Sequence, residues 1–233
     1  MSKIIAIMLL LCCGMMLFGC ADDNGRRKAE QQKTIVVTDS VGRKVELPYP
    51  LERVAVCNVY NAELITAVGA IDKIVGVDNY IFKDQSGFKN RFNEAQVFGI
   101  SQNAMNYEKL AELAPQAVII TGEGTWRDAQ EMLDRFGIKV IVINSYYTDQ
   151  FADNCRLIGR IFGREEQAEE LVNYFNDKLA YIQKQLQGVP RRSLYFEYRT
   201  LGKTAVPGDY FYKMVEYSGA DNIFAAAKGC LLY

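Results

Sequence analysis

The chain has 233 residues, 49% of them hydrophobic and 24% charged, and a formal net charge of −1. That is the composition of a globular protein with room for one large domain or two small ones, and its near-neutral balance supplies no concentrated basic face for nucleic acid. Histidine is absent, which removes the commonest metal ligand and the commonest general base and so weakens zinc or manganese capture and most hydrolase triads.

The first predicted element is the apolar run from Ile4 to Phe18. It is shorter than the roughly 17–25 residues a membrane-crossing helix needs. With Lys3 before it and the small Gly19 at its exit, it reads as a secretory signal over residues 1–19. Leu17-Phe18-Gly19-Cys20 resembles a bacterial lipobox, after which the cysteine thiol is acylated and becomes the first mature residue. Residues 20–33 are then the lipidated Cys20 and a polar tether. The expected location is the cell envelope, anchored by lipid to the cytoplasmic membrane and facing outward or into the periplasm. Cys12 and Cys13 leave with the signal, and the widely spaced Cys57, Cys155 and Cys230 read as buried filler rather than a disulfide framework.

Next, "TIVVTDSVGRKVEL" predicts a hairpin around a glycine-containing turn. An alternation follows: "RVAVC" as strand, "NAELITAVG" as helix ending at Gly69, "KIVGV" as strand, then a long polar loop. "NYEKLAELAP" is a helix capped by Asn106 and stopped by Pro115, and "AVIIT" is a strand. "TWRDAQEMLDRFG" is a helix with Thr125 and Asp128 spaced as a capping box and Gly137 at its exit, and "KVIVIN" is a strand. Short, wholly apolar strands alternating with helices predict an α/β fold with a parallel sheet covered on both faces, over residues 34–148. Residues 149–190 read as a helical connector broken near Gly163. Its second helix carries one stripe, Ala168, Leu171, Val172, Phe175, Leu179, Ile182 and Leu186, and is long enough to bridge two lobes. "RSLYFEY" and "DYFYKMVEYSG" then begin a second α/β lobe over residues 191–233, which is expected to be truncated because few residues follow.

In an open parallel sheet ligands collect beyond the carboxyl ends of the strands. The residues there are Asn58, Tyr60 and Asn61 after the first strand, Asp78, Asn79 and Tyr80 after the second, Glu123 and Trp126 after the third, and Asn144, Tyr146 and Tyr147 after the fourth, of which Asn58, Tyr60, Tyr80, Trp126, Tyr146 and Tyr147 are the ligand-binding candidates. Tyr198 and Arg199 are added from the second lobe. Such an aromatic edge with scattered polar groups suits a bulky, partly flat ligand, and Arg199 can pair with carboxylates or an anionic chelate. Other chemistry fails. "LGKT" is the tail of a phosphate-binding loop whose first glycine would fall at Glu197, and no G-x-S-x-G, H-E-x-x-H or mature C-x-x-C occurs. An enzyme is therefore not expected, although an envelope α/β enzyme is the reading from a different class, and a truncated product that binds nothing is a third.

"IVVTDSVGRKVELPYPLERVAV", "AELITAVGAIDKIVGVDNY", "NYEKLAELAPQAVIIT", "LDRFGIKVIVIN" and "GADNIF" together resemble the solute-binding proteins of bacterial ABC importers for ferric siderophores, haem and cobalamin. The resemblance spans Thr34 to Phe224. It implies two Rossmann-like lobes joined by a rigid helix from Glu165 to Leu186, a ligand cleft between them and only small closure. It implies an ABC permease and its ATPase as partners, a membrane held through the lipid anchor, and no intrinsic cofactor. The ligand would be a ferric chelate of siderophore type, with a corrinoid or haem as alternatives. A docking glutamate of the family falls on Glu108, where the charge also complements a helix N-terminus. The second lobe's docking glutamate would follow "NIF", where this chain has "AAAKGCLLY".

Overall fold

The computed structural model describes residues 33–198, 201–227 and 231–232. The signal, Cys20 and the tether as far as Gln32 lie outside the described residues, as do Arg199 and Cys230. Among the described residues no helix is long and apolar enough to cross a membrane.

Strands β1 (Thr34–Thr38) and β2 (Lys44–Pro48) form the expected antiparallel hairpin, with Val37 opposite Val45. Val37 and Leu47 are buried while their neighbours face outward, the alternation a half-covered hairpin requires. Asp39 holds the turn by accepting hydrogen bonds from the backbone N–H groups of Val41 at 3.2 Å and Arg43 at 2.9 Å.

The main sheet contains β3 (Val54–Val56), β4 (Ile74–Val77), β5 (Ala117–Ile120) and β6 (Lys139–Val142), all parallel in the order β4-β3-β5-β6. Alternate strand residues enter two separate cores. Val54, Val56, Ile119 and Ile141 face one core, and Ala55, Val118, Ile120, Val140 and Val142 the other. Helix α1 (Val59–Ala67) and α5 (Phe151–Phe162) supply Ile65 and Ile158 to the first. Helix α3 (Tyr107–Glu112) and α4 (Trp126–Asp134) supply Leu110 and Leu133 to the second. Cys57 and Cys155 are buried and unbridged, as expected of filler.

Two local expectations are revised. The polar loop after β4 contains a short helix, α2 (Asn79–Lys83), because Asp78 caps it by accepting from Ile81 N at 2.9 Å. The capping box at Thr125 does not form; the Thr125 hydroxyl turns instead toward Asn103 Oδ1 at 3.4 Å. The cap predicted for Asn106 is present, its Oδ1 accepting from Lys109 N at 2.9 Å.

Helix α5 ends at Gly163, φ +64°, and α6 (Glu165–Gln185) follows. The two pack closely at Gly159, where an added Cβ would lie 2.5 Å from Ala168 Cβ. The α6 stripe is buried only at Ala168 and Val172. Phe175 stacks on Phe151 at 4.3 Å, and Ile182 near the far end is 43% exposed. Beyond α6, β7 (Arg192–Leu194) pairs in parallel with β9 (Ala220–Asn222), and β8 (Thr204–Ala205) pairs antiparallel with β10 (Leu231–Leu232). Helix α7 (Tyr210–Tyr217) lies between β8 and β9 in the chain and is capped by Asp209, whose Oδ1 accepts from Phe211 N at 2.8 Å.

Candidate functional site

Each parallel strand delivers a short polar loop to the same sheet edge, and side-chain hydrogen bonds fasten these loops to one another. After β3 the chain turns at Asn58, which has φ +77°. Its N–H donates to Asp78 Oδ2 at 3.0 Å, and its own Oδ1 accepts from Tyr60 N at 2.9 Å. Asp78 thus caps α2 and fixes the start of α1 together. Its burial pushes the carboxyl above the usual range, opposed by the backbone hydrogen bonds it accepts. Tyr60 and Tyr80 project from these turns, 46% and 62% exposed.

After β5, Gln102 Oε1 accepts from both Thr121 N at 2.9 Å and Thr121 Oγ1 at 2.8 Å, and Gln102 Nε2 donates to Glu123 O. After β6, Asn144 Oδ1 accepts from Gly122 N at 2.7 Å, and its backbone is held by Ser40 and Asn154. Gly124 has φ +74°, a conformation strained for any residue with a Cβ, and an added Cβ would also force the Asn103 amide aside from 2.3 Å.

Two adjoining hollows open on this edge. One, of about 530 Å³, lies over the ends of β3, β4 and β5; Asn58, Tyr60, Asp78, Tyr80, Gln102 and Glu123 contribute to it. The other, of about 370 Å³, lies between α1, the loop after β6 and α7; its walls include Tyr60, Glu63, Ser145, Tyr146, Tyr210 and Phe211. Tyr60 and Glu63 border both. Aromatic rings continue across it, Tyr146 meeting Tyr147 at 4.7 Å and Tyr210 edge-on at 5.5 Å, and Tyr198 lying 6.3 Å from Tyr210 and 4.8 Å from Phe211. Burial, then the Glu123 carboxylate, raises the Tyr146 hydroxyl; burial and the hydrogen bond with Tyr198 raise that of Tyr210. Both phenols therefore stay protonated at neutral pH and can donate hydrogen bonds as well as offer ring contact.

The structure thus brings Asn58, Tyr60, Tyr80 and Tyr146 to the hollows, with Tyr147 and Tyr198 in the ring cluster behind them. Trp126 is placed elsewhere. It is 8% exposed, belongs to the second core, and carries the guanidinium groups of Arg43 at 4.3 Å and Arg127 at 4.2 Å over its ring. It lines neither hollow. Glu108 is exposed in the first turn of α3. Glu63, Gln102, Ser145, Tyr210 and Phe211 were not among the candidates. Only the Asp209 cap ahead of Tyr210 and Phe211 signalled that a helix begins there, and nothing local tied it to the sheet edge. Among the described residues no cluster of three or more carboxylate or thiol groups could hold a metal ion.

A family model described as periplasmic binding protein matches residues 54–229. The molybdate-binding protein MolA of Haemophilus influenzae is 26% identical over 219 residues, 82% of this chain and 61% of that protein. Its molybdate-bound structure superposes with a TM-score of 0.71, covering 84% of this chain and 68% of that one. The vitamin B12-binding protein of Salmonella typhimurium is 22% identical, over 77% of this chain and 65% of its own length. A periplasmic solute binding protein of Veillonella parvula is 26% identical with a TM-score of 0.64, covering 86% of this chain and 63% of that one. The chain spans less than two thirds of the length of the curated relatives it matches.

Proposed function

Because this chain belongs to the periplasmic binding protein family, we propose that it is the solute-capturing component of an ABC importer, taking a bulky metal chelate of siderophore or corrinoid type in the aromatic cleft and delivering it to a membrane permease and its ATPase. The observation that carries this reading is the pair of hollows at the carboxyl edge of the parallel sheet, walled by Tyr60, Tyr146, Tyr210 and Phe211. Rings there offer large, stiff contact area, and protonated phenols supply a few orienting hydrogen bonds. The protein performs no reaction on its solute. Haem, flat and bulky, is the alternative ligand in the same cleft. Acylation of Cys20 would hold the receptor beside its permease. Asn58, Tyr60, Tyr80 and Tyr146 would touch the ligand, and Tyr147 and Tyr198 would back the contacting rings.

Titration calorimetry of ferrichrome, cyanocobalamin and haemin into the purified chain tests this reading. One saturable site for at least one of them is expected; no binding of any would sink it. Glu108, exposed at the start of α3, is assigned to permease docking. Glu108→Ala is expected to leave chelate affinity unchanged and to lower uptake in cells about tenfold, the effect of losing one close interfacial charge pair of roughly 1.4 kcal/mol. Undiminished uptake would remove Glu108 from that role.

A further inference from the structure

We infer that Glu63 and Glu123 make the cleft selective for the charge of its ligand, admitting neutral or cationic metal chelates that carry amide groups and rejecting polyanionic chelates and free oxyanions. This rests on the reading of the cleft as a solute site. Glu63 borders both hollows, and Glu123 and Asp78 border the larger one. Among the described residues no lysine or arginine lines either. Burial and the nearby Asp84 carboxylate raise Glu63 above its ordinary range, so its negative charge is already disfavoured there. Both carboxylates are solvent-exposed; a ligand seated over them displaces that water, so a cationic ligand relieves their charge and an anionic one adds to it, a repulsion that added salt weakens.

A second feature bears on the ligand's rim. Ser145 Oγ is buried with no hydrogen-bond partner, and Ser145 belongs to the wall of the smaller hollow. A buried hydroxyl left unpaired is costly, and an amide or hydroxamate carbonyl on the ligand would accept its hydrogen. Ferric hydroxamates and the carboxamide edge of a corrinoid carry such groups without net negative charge. A tetrahedral oxyanion would also pair with Ser145, but only beside Glu63.

The test is calorimetry with ferrioxamine B, ferrichrome and cyanocobalamin on one side, and a ferric tris-catecholate and molybdate on the other. Wild-type protein is expected to bind at least one of the first group about tenfold or more tighter than either of the second. The Glu63→Gln, Glu123→Gln double variant keeps shape and hydrogen bonding while removing both charges, and is expected to narrow that gap about tenfold. A wild-type preference for the tris-catecholate or molybdate would overturn the inference while leaving the solute-binding reading intact. So would a gap that the double variant leaves unchanged. Binding of none of the probes would overturn the solute-binding reading and this inference with it.

Discussion

Replacing Trp126 by alanine is expected to lower the unfolding free energy by about 3–4 kcal/mol, within the span for emptying a buried large aromatic site. Trp126 opens α4 at 8% exposure and fills the second core beside the sheet. Its ring is also the surface on which Arg43 and Arg127 lie, at 4.3 and 4.2 Å, so the variant loses two cation–π contacts with the packing. Urea denaturation followed by circular dichroism reads the loss as a lower midpoint at unchanged slope. The same protein separates a packing role from a ligand role. Trp126→Phe should recover part of the stability and leave chelate affinity unchanged. A large fall in affinity with little change in stability would place Trp126 in the binding site instead.

The second large effect is expected at Arg43. Its Nη2 lies 2.6 Å from Asp39 Oδ2, and the Asp39 side chain has no solvent exposure. Arg43 also bonds Gln130 and the Val140 carbonyl, while Asp39 accepts from Val142 N at 3.3 Å and Ser40 N donates to Val142 O at 2.9 Å. These contacts pin the hairpin to β6, beyond which Asn144 fastens the Gly122 turn and Ser145 lines the smaller hollow. Arg43→Ala strips a buried carboxylate of its counterion, a change that costs about 3–5 kcal/mol when one partner of a buried pair is removed. Three backbone N–H donors remain to Asp39, which puts the expected loss near the lower limit, about 3 kcal/mol. An Arg43→Ala, Asp39→Asn double variant should be less destabilised than the sum of the two single changes. Strict additivity would show that the pair is not coupled as the geometry requires.

The parallel sheet was legible because its strands are continuous apolar runs, the pattern left when both faces are covered, and because caps such as Asn106 lie one residue ahead of their helices. The near wall of the cleft was legible for a topological reason: residues after parallel strands share one edge, so Asn58, Tyr60, Tyr80 and Tyr146 converge. Trp126 obeys the same rule of position, yet its ring packs into the second core, where Arg43, 83 places earlier in the chain and on a separate hairpin, lies over it. No local pattern encodes that contact. The far wall was illegible for a similar reason. Tyr210 and Phe211 start a helix beyond α6 and reach Tyr146 only through the tertiary arrangement. The stripe on α6 read as continuous, but burial along it depends on which neighbours are present at each turn, and only Ala168 and Val172 are enclosed.

The most direct measurement is the affinity of a chelate bound by the wild-type chain for Tyr146→Ala and Tyr210→Ala, with thermal melts run on the same samples. Tyr146 and Tyr210 both line the smaller hollow, their rings in edge-on contact at 5.5 Å. Each truncation is expected to weaken binding about tenfold to a hundredfold, the loss of one aromatic wall of roughly 1.4–2.8 kcal/mol, in protein that still melts cooperatively. Wild-type affinity in both well-folded variants would show that the solute binds somewhere other than this cleft.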